Sequence, residues 1–244
     1  IATDPSDLGR LRTINVGSVG GTAEATTRVQ LNANLKSSQA ISAEAAAAGA
    51  TPVGAGAYDI LTNSMAMWDP ELGTGVKPDF EVTVPVSDSK GGQRTLALSF
   101  LKSSTPNQWY AEIRAVPAGD VISGAGLANG QLKTGIVAFT QDGRLDVDAM
   151  EALGAAALFA DPANAMLSFG ASDEAAPGAG AFNWAAGLGI DEQDVAFDLT
   201  AAAGGLTQYD SASVVQATLT NGTAFGNLSE VKIDEKGFVT AIFD

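Results

Sequence analysis

Residues 204–244 read GGLTQYDSASVVQATLTNGTAFGNLSEVKIDEKGFVTAIFD and join a glycine-rich turn to a strongly alternating carboxy-terminal stretch. Apolar and polar residues alternate on both sides of Asp234-Glu235-Lys236-Gly237, with the period of two that is the signature of β-strands. Gly237 supplies the positive φ that a tight reversal needs. The stretch therefore predicts a β-hairpin whose buried face carries Val231, Ile233, Phe238 and Ile242.

The composition narrows the classes of protein to which the chain can belong. Of its 244 residues, 45% are hydrophobic, which is enough to build a core without covalent staples. The absence of cysteine excludes disulfides, thiolate metal sites and cysteine nucleophiles, and the absence of histidine removes the commonest acid/base group and metal ligand. The net charge of −15 disfavours nucleic acid and anionic membranes as partners. The longest apolar-looking region, residues 43–57, is mostly alanine and glycine and is broken by Pro52, so no segment predicts a membrane span.

The first part of the chain predicts two strands and one short helix. Alternation predicts strands over Leu11–Val16 and Thr26–Leu35, separated by a turn at Gly17–Gly21. Ser42 is placed to cap a helix over Ala43–Ala48, with alanine-rich coil as the alternative. The residues from there to position 57 are interpreted as a linker.

A second group of signals begins near Tyr58. Phe80–Val86 and Thr95–Phe100 alternate on either side of a polar turn at Ser87–Gly92, which predicts a hairpin. Pro85 assigns the first of these strands to a sheet edge or a bulge, because proline has no N–H to donate. Trp109–Val116 predicts a third strand.

Further elements are predicted between residues 135 and 199. An apolar run from Gly135, a turn at Gly143 and a return strand beginning at Leu145 predict another hairpin. Asp148 followed by Glu151 predicts a short capped helix that is interrupted at residue 154. The remaining predictions are a strand over Ala165–Phe169, a loop over residues 175–189 anchored by Phe182 and Trp184, and a strand over Asp194–Leu199.

Several carboxylates invite a chemical interpretation. One cluster consists of Asp191, Glu192, Asp194 and Asp198, and another of Asp142, Asp146 and Asp148. Neither has the spacing of a recognised calcium-binding loop. Paired carboxylates can hydrolyse glycosides without histidine, so a glycoside hydrolase is the enzyme class that the lack of cysteine and histidine does not exclude. No carboxylate pair stands out, and turn aspartates such as Asp88 have an ordinary structural role.

Other residue types give no chemical site either. The pairs Lys36-Ser37 and Ser89-Lys90 are adjacent in sequence, a spacing that does not suit serine–lysine catalysis. Three tryptophans, Trp68, Trp109 and Trp184, are more typical of packing than of a sugar platform. The Gly17–Gly21 turn lacks the lysine and helix of a phosphate-binding loop. We therefore assign no catalytic, cofactor-binding or metal-binding residues and no cofactor, and expect a protein that is not an enzyme.

Three blocks of the chain resemble bacterial flagellar hook proteins. The carboxy-terminal block, residues 197–244, carries Gly205-Leu206-Thr207-Gln208-Tyr209, Ser213-Val214-Val215, Asn221-Gly222, Gly226-Asn227-Leu228 and the run from Ile233 to Thr240. The middle block, residues 86–109, carries Asp88-Ser89-x-Gly91, Leu96-x-Leu98-x-Phe100-x-Lys102 and Asn107-x-Trp109. The first block is the alternating run over residues 27–35. Residues 110–195 depart from the family pattern.

The resemblance implies an all-β fold of two β-sandwich or barrel-like domains. The outer domain, residues 50–200, is expected to be inserted into a discontinuous inner domain made of residues 1–40 and 203–244. The insertion has a physical rationale, because strands near Leu35 and Leu206 must return to a common sheet.

The function implied by the resemblance is that of a structural subunit of the flagellar hook. Such subunits leave the cell by type III export and self-assemble into a flexible, curved helical tube, the universal joint between motor or rod and filament. The implied partners are further copies of the chain and the rod, hook-cap and hook-filament junction proteins, and the implied location is the extracellular flagellum. Some family members crosslink their subunits through a cysteine, and this chain has none.

The ends of the chain carry one further expectation. It begins at Ile1 and stops at Asp244, and neither end shows the heptads of the terminal polymerisation helices in hook proteins. We interpret it as a core fragment that stays monomeric. The alternative function is a surface-exposed binding module, such as an adhesin or surface-layer fragment that binds calcium or glycans. A distal-rod subunit is a related possibility, distinguished by the lack of a large outer domain.

Overall fold

The structure is a computed structural model, and it describes residues 23–200, 204–223, 228–234 and 239–243. Within these ranges there are thirteen strands and two short α-helices, α1 (Ala43–Ala48) and α2 (Val147–Leu153). The strands are β1 (Arg28–Asn34), β2 (Phe80–Ser87), β3 (Gln93–Lys102), β4 (Gln108–Val116), β5 (Val121–Ser123), β6 (Gln131–Ala138), β7 (Met166–Gly170), β8 (Phe182–Trp184), β9 (Gln193–Asp198), β10 (Leu206–Thr207), β11 (Val214–Thr220), β12 (Leu228–Ile233) and β13 (Val239–Phe243). The predicted strand over Leu11–Val16 and the turn at Gly17–Gly21 lie outside the described residues.

The strands form two large sheets and one separate hairpin. The four-stranded sheet has the order β2-β3-β4-β6, with all neighbours antiparallel. In the seven-stranded sheet, β10 and β9 pair with different residues of β1, and the sheet continues from β9 through β7 and β8 to β5. The seventh strand, β11, pairs antiparallel with β1. The two sheets bury their apolar faces in one cluster, the arrangement of a β-sandwich. The prediction of a mostly β fold is confirmed.

Alternation along the strands determines which side chains enter this core. Along β4, Trp109, Ala111, Ile113 and Ala115 point inward and are almost wholly buried. Trp184 from β8 stacks on Phe169 from β7, with ring centroids 4.3 Å apart. Because large aromatic side chains dominate the energetics of burial, these residues supply much of the stability of the sandwich.

The strands near Leu35 and Leu206 meet in one sheet. Ala33 and Asn34 of β1 pair in parallel with Leu206 and Thr207 of β10, and β1 also pairs antiparallel with β11. On the β10 side, β1 pairs with β9, so this sheet contains residues from both predicted domains. The division into residues 1–40 plus 203–244 and residues 50–200 stays a prediction.

Several local predictions are confirmed. The hairpin around residues 87–92 forms as β2 and β3, and Pro85 lies in an edge strand. The strand predicted at Trp109–Val116 is β4, and those at Ala165–Phe169 and Asp194–Leu199 are β7 and β9. The helix α1 forms, with the Ser42 hydroxyl accepting a hydrogen bond from Ala45 N at 3.1 Å.

Four local predictions need correction. The return strand expected at Leu145 is a single bridge to Phe139, because α2 begins two residues later. The helix is capped by Asp146, which accepts from Ala149 N at 2.9 Å, and not by Asp148. The predicted loop over residues 175–189 contains the short strand β8, although Phe182 and Trp184 are the buried anchors expected.

The fourth correction concerns the carboxy-terminal hairpin. The hairpin forms as β12 and β13. Val231 and Ile233, however, are 37% and 71% exposed, so the buried face predicted for them is wrong. The physical reason is that β12 and β13 form a two-stranded sheet of their own, and a hairpin buries side chains only where another layer covers it.

Between β1 and β2 the chain makes a long excursion over residues 42–78, which we call the strap. It contains α1 and a single 3-10 turn at Met65–Met67. Its buried residues form a small second cluster that includes Leu101 from β3. The partly buried Tyr110 from β4 packs against this cluster. The strap therefore covers the face of the four-stranded sheet that points away from the main core.

Candidate functional site

Several polar contacts of this chain join segments that lie far apart in sequence. The first is a pair of asparagines on β1. The Asn32 side-chain oxygen accepts a hydrogen bond from Gly205 N at 3.0 Å. The Asn34 side-chain oxygen accepts from Tyr209 N at 2.8 Å, and its nitrogen donates to Ser211 Oγ at 3.0 Å. We call residues 204–213 the return segment, and the two asparagines hold it along β1.

Gln208 ties the return segment to the opposite sheet, and we call its contacts the first junction. Its side-chain oxygen accepts hydrogen bonds from Trp109 Nε1 at 2.7 Å and from Lys102 Nζ at 3.0 Å. Its amide nitrogen donates to Asn107 Oδ1 at 3.0 Å. Gln208 is buried, so each of these bonds replaces one to water. The motifs at Asn107-x-Trp109 and Gly205–Tyr209, which carried separate parts of the resemblance, are thus in direct contact.

Burial shifts the pKa values of two charged groups at the first junction. The Lys102 ammonium lies 5.0 Å from the centroid of the Trp109 ring, and burial lowers the pKa of Lys102 while Asp79 opposes the shift. Burial raises the pKa of Asp79, opposed by hydrogen bonds from Lys102 N and the Gln39 side chain. The charge of each group opposes the pKa shift that burial causes in the other.

Asn221 and Gly222 form a second junction, where β11 ends. The Asn221 side-chain oxygen accepts from Thr27 N at 3.0 Å and from Arg28 N at 2.7 Å. Gly222 has φ +94°, and a Cβ on it would lie 2.8 Å from Glu24 O. Only glycine fits this corner, which explains the Asn-Gly pair in chemical terms.

A buried carboxylate attaches the strap to the sheet. Glu112 on β4 has no exposed surface. Its carboxylate accepts hydrogen bonds from Tyr58 Oη at 2.8 Å, Met65 N and Ala66 N at 2.9 Å, and Gln131 Nε2 at 3.0 Å. Burial raises the pKa of Tyr58 far above its usual range, and the Glu112 charge adds to the shift, so the hydroxyl remains a donor. Sequence alone gives no sign of this site, because the donors come from three separate segments.

The carboxylates weighed as calcium ligands are engaged in other contacts or lie apart. Asp198 pairs with Arg28 at 2.6 Å, and Asp142 pairs with Arg144 at 3.3 Å. A hydrogen bond from the Thr140 hydroxyl lowers the pKa of Asp142. Among the described residues, no three acidic side chains converge as a metal site requires.

The serines and tryptophans weighed as chemical groups have structural contacts. Ser89 Oγ accepts from Asp191 N at 3.1 Å, and Lys90 Nζ donates to Leu188 O at 3.4 Å, so both brace the β2–β3 turn. Trp109 and Trp184 are completely buried, whereas Trp68 is 38% exposed on the strap. Buried indoles cannot serve as a surface for binding sugars.

Residues 77–223 match the family model described as flagellar basal body protein FlaE D2 domain. The chain belongs to this family. The matched region of this FlaE D2 family member begins just before β2 and ends just after β11, so it covers both sheets of the sandwich apart from β1 and excludes most of the strap.

The chain is also similar to the flagellar hook protein FlgE of Caulobacter vibrioides, with 38% identity over 361 residues. That alignment includes all of this chain and 59% of the relative, so the chain spans about three fifths of the relative's length. A solved 32 kDa fragment of the flagellar hook protein FlgE from Caulobacter crescentus has 32% sequence identity and a TM-score of 0.66. This match covers 80% of the present chain and all of the fragment.

These findings confirm the resemblance to flagellar hook proteins and do not favour the binding-module alternative. In the described part of the chain, no helix is both long enough and apolar enough to span a bilayer.

Proposed function

We propose that this chain is part of a structural subunit of the bacterial flagellar hook, which self-assembles into a flexible curved tube linking motor or rod to filament. The observation that carries the proposal is the FlaE D2 family match over residues 77–223, together with whole-chain similarity to a hook protein. In such a tube the subunit works outside the cell, and its main partner is another copy of itself. The rod, hook-cap and hook-filament junction proteins are the further partners.

The fold supports this role in two ways. The sandwich is a stiff unit, because β1 is paired on both sides, Asn34 holds the return segment along it, and Asn221 fixes the end of β11 to its first residue. The surface is strongly acidic, with a net charge of −15, so contacts between identical copies remain weak enough to rearrange. A helical tube of identical subunits is built by heterologous contacts, and bending requires those contacts to slide.

The proposed domain division follows the same logic. Residues 1–40 and 203–244 form the inner domain, and residues 50–200 form the outer domain inserted into it. The role is mechanical, and we infer that the protein is not an enzyme, because its similarity is to a structural protein.

The decisive experiment is complementation. The full-length gene product that contains this chain is expressed in bacteria lacking their own hook protein, and cells are examined by negative-stain electron microscopy. We expect curved hooks and restored swimming, and neither for a matched variant lacking residues 77–223. Full-length protein that is secreted but never forms curved tubes contradicts the proposal.

The chain by itself gives a second test. Light scattering on residues 1–244 is expected to show a monomer, because the net charge of −15 opposes close association of free copies. A stable closed oligomer, such as a ring or a dimer, is incompatible with the proposed role.

A further inference from the structure

The strap has a core of its own, distinct from that of the sandwich. Four of the five residues in its buried cluster come from the strap itself: Ala45, Tyr58, Met65 and Val76. The fifth, Leu101, is the contribution of β3. Because most residues of this cluster belong to the strap, the shape of the strap depends mainly on its own residues.

Two aspartate-led turns add to this independence. Asp59 Oδ1 accepts from Leu61 N at 2.9 Å and from Thr62 N at 2.8 Å. Asp69 Oδ1 accepts from Glu71 N at 2.8 Å and from Leu72 N at 3.1 Å. Side-chain-to-backbone bonds of this kind stabilise a turn without help from distant residues.

The two ends of the strap are fastened together at its base. Gln39 Nε2 donates to Asp79 Oδ1 at 2.8 Å, and Lys102 N on β3 donates to Asp79 Oδ2 at 2.8 Å. A long loop with adjoining ends and a packed interior is an Ω-loop in all but its length. Because the ends of the strap are joined at its base, the strap can move without displacing β1 and β2.

Between base and turns, polar contacts at one site hold the strap to the sheet. Three of the four donors to the Glu112 carboxylate, the Tyr58 hydroxyl and the N–H groups of Met65 and Ala66, belong to the strap. The fourth, Gln131 Nε2, also donates to Ile60 O at 2.9 Å and so reinforces the same attachment. Bonds to a buried charge are strong while intact and costly to leave half made.

We propose that the strap is a local opening unit, held on β4 by the Glu112 carboxylate, that leaves the sheet as a body while the sandwich stays folded. Opening exposes Leu101 and Tyr110 and lets water reach Glu112. The inference concerns the single chain and stands or falls independently of hook assembly.

Native-state hydrogen exchange on residues 1–244 tests the wild-type chain. Met65 N and Ala66 N report directly on the attachment, and the amides of β3 report on the sandwich. We expect the two strap amides to exchange at least tenfold faster than the β3 amides, with a weaker dependence on urea, because less surface is exposed on local opening. Identical exchange free energies and urea slopes overturn the proposal.

Matched variants test the role of the carboxylate. Tyr58→Phe removes one donor to Glu112 and keeps the ring, and Glu112→Gln replaces the charge. Tyr110→Phe is the control, because the Tyr110 ring packs against Tyr58 at 4.8 Å while its hydroxyl makes no hydrogen bond in the described part of the chain. We expect the first two to speed exchange at Met65 and Ala66 at least tenfold with β3 unchanged, and the control to match the wild type.

Two results would overturn the role of Glu112. One is exchange that rises equally in the strap and in β3, which means that strap and sandwich open together. The other is unchanged exchange at Met65 and Ala66 in Tyr58→Phe. If Glu112→Gln does not fold, Tyr58→Phe alone decides between these outcomes, because it preserves both the charge and the packing.

Discussion

In the sandwich, Trp109, Phe169 and Trp184 lose almost all contact with water, whereas the strap turns Val53, Leu61 and Leu72 outward. The sandwich is held by large apolar side chains shared between two sheets, and by amides that join segments more than ninety residues apart. The strap is held by a small cluster, two local turns and one buried carboxylate. The comparison shows that one chain can combine a rigid body with a part that is attached at few points.

The strongest challenge to this comparison is removal of a core aromatic residue. Trp109→Ala is expected to lower the free energy of unfolding by about 3 to 5 kcal/mol, because it leaves a cavity in the shared core. Trp68→Ala on the strap is the control, with an expected loss below about 1 kcal/mol for a partly exposed residue. Urea denaturation followed by circular dichroism measures both. Equal losses would mean that strap and sandwich are not held differently.

A smaller effect is expected at the junction of the return segment. Gln208→Ala leaves Trp109 Nε1 and Lys102 Nζ without their acceptor, which is expected to cost about 2 to 3 kcal/mol. Gln216→Ala, at an exposed position on β11, is the matched control and is expected to be near neutral. Urea midpoints compare the two variants. A neutral Gln208→Ala would show that the junction does not stabilise the sandwich.

A substitution at Gly222 tests the contribution of backbone conformation to stability. Gly222→Ala places a Cβ at positive φ and close to Glu24 O, with an expected cost of about 1 to 2 kcal/mol. Gly119→Ala is the control, because a Cβ there meets no atom within 4 Å. Thermal unfolding measures both substitutions. If the two lower Tm equally, the strained corner is not the cause.

The smallest effect is a pH dependence within the strap. Hydrogen bonds from Leu61 N, the Thr62 hydroxyl and Thr62 N hold the pKa of Asp59 below its usual value of 3.8. The folded state therefore favours the carboxylate: the stabilisation is complete above pH 3.8 and is lost as pH falls through the lower folded pKa. Asp59→Asn keeps the turn without a titrating group. We expect the difference in strap-amide exchange free energy between the wild type and this variant to shrink below pH 3.8, and a constant difference contradicts the assignment.

Much of the sandwich could be predicted from local pattern. The strands β2, β3 and β4 follow from alternation, and Pro85 indicated the sheet edge because it lacks a donor. The strand β8 could not be predicted, since three residues within a glycine- and alanine-rich loop show no period. The predicted cap of α2 was wrong because two aspartates lie at the start of the helix: Asp146 is the N-cap and Asp148 lies in the first turn, and only backbone geometry distinguishes them.

The junctions and the strap attachment lay beyond sequence reasoning for a different reason. Glu112 occupies an outward position of β4, and the alternation that buries Ile113 predicts a solvent-exposed glutamate. It is buried because the strap folds over it, a contact between segments about fifty residues apart. Likewise, Gln208 was part of a recognised motif, but its partners at Trp109 and Lys102 could not be identified without the fold.

The position of Pro85 in the edge strand β2 has a consequence for crowding. An open sheet edge presents N–H and C=O groups to any other strand that comes near, and densely packed copies of a β-protein risk fusing edge to edge into disordered aggregates. Pro85 is exposed and offers no N–H, so it interrupts the row of donors on that edge. In a polymer of the kind proposed, one imino acid thus helps to keep neighbouring subunits as separate bodies that slide past one another.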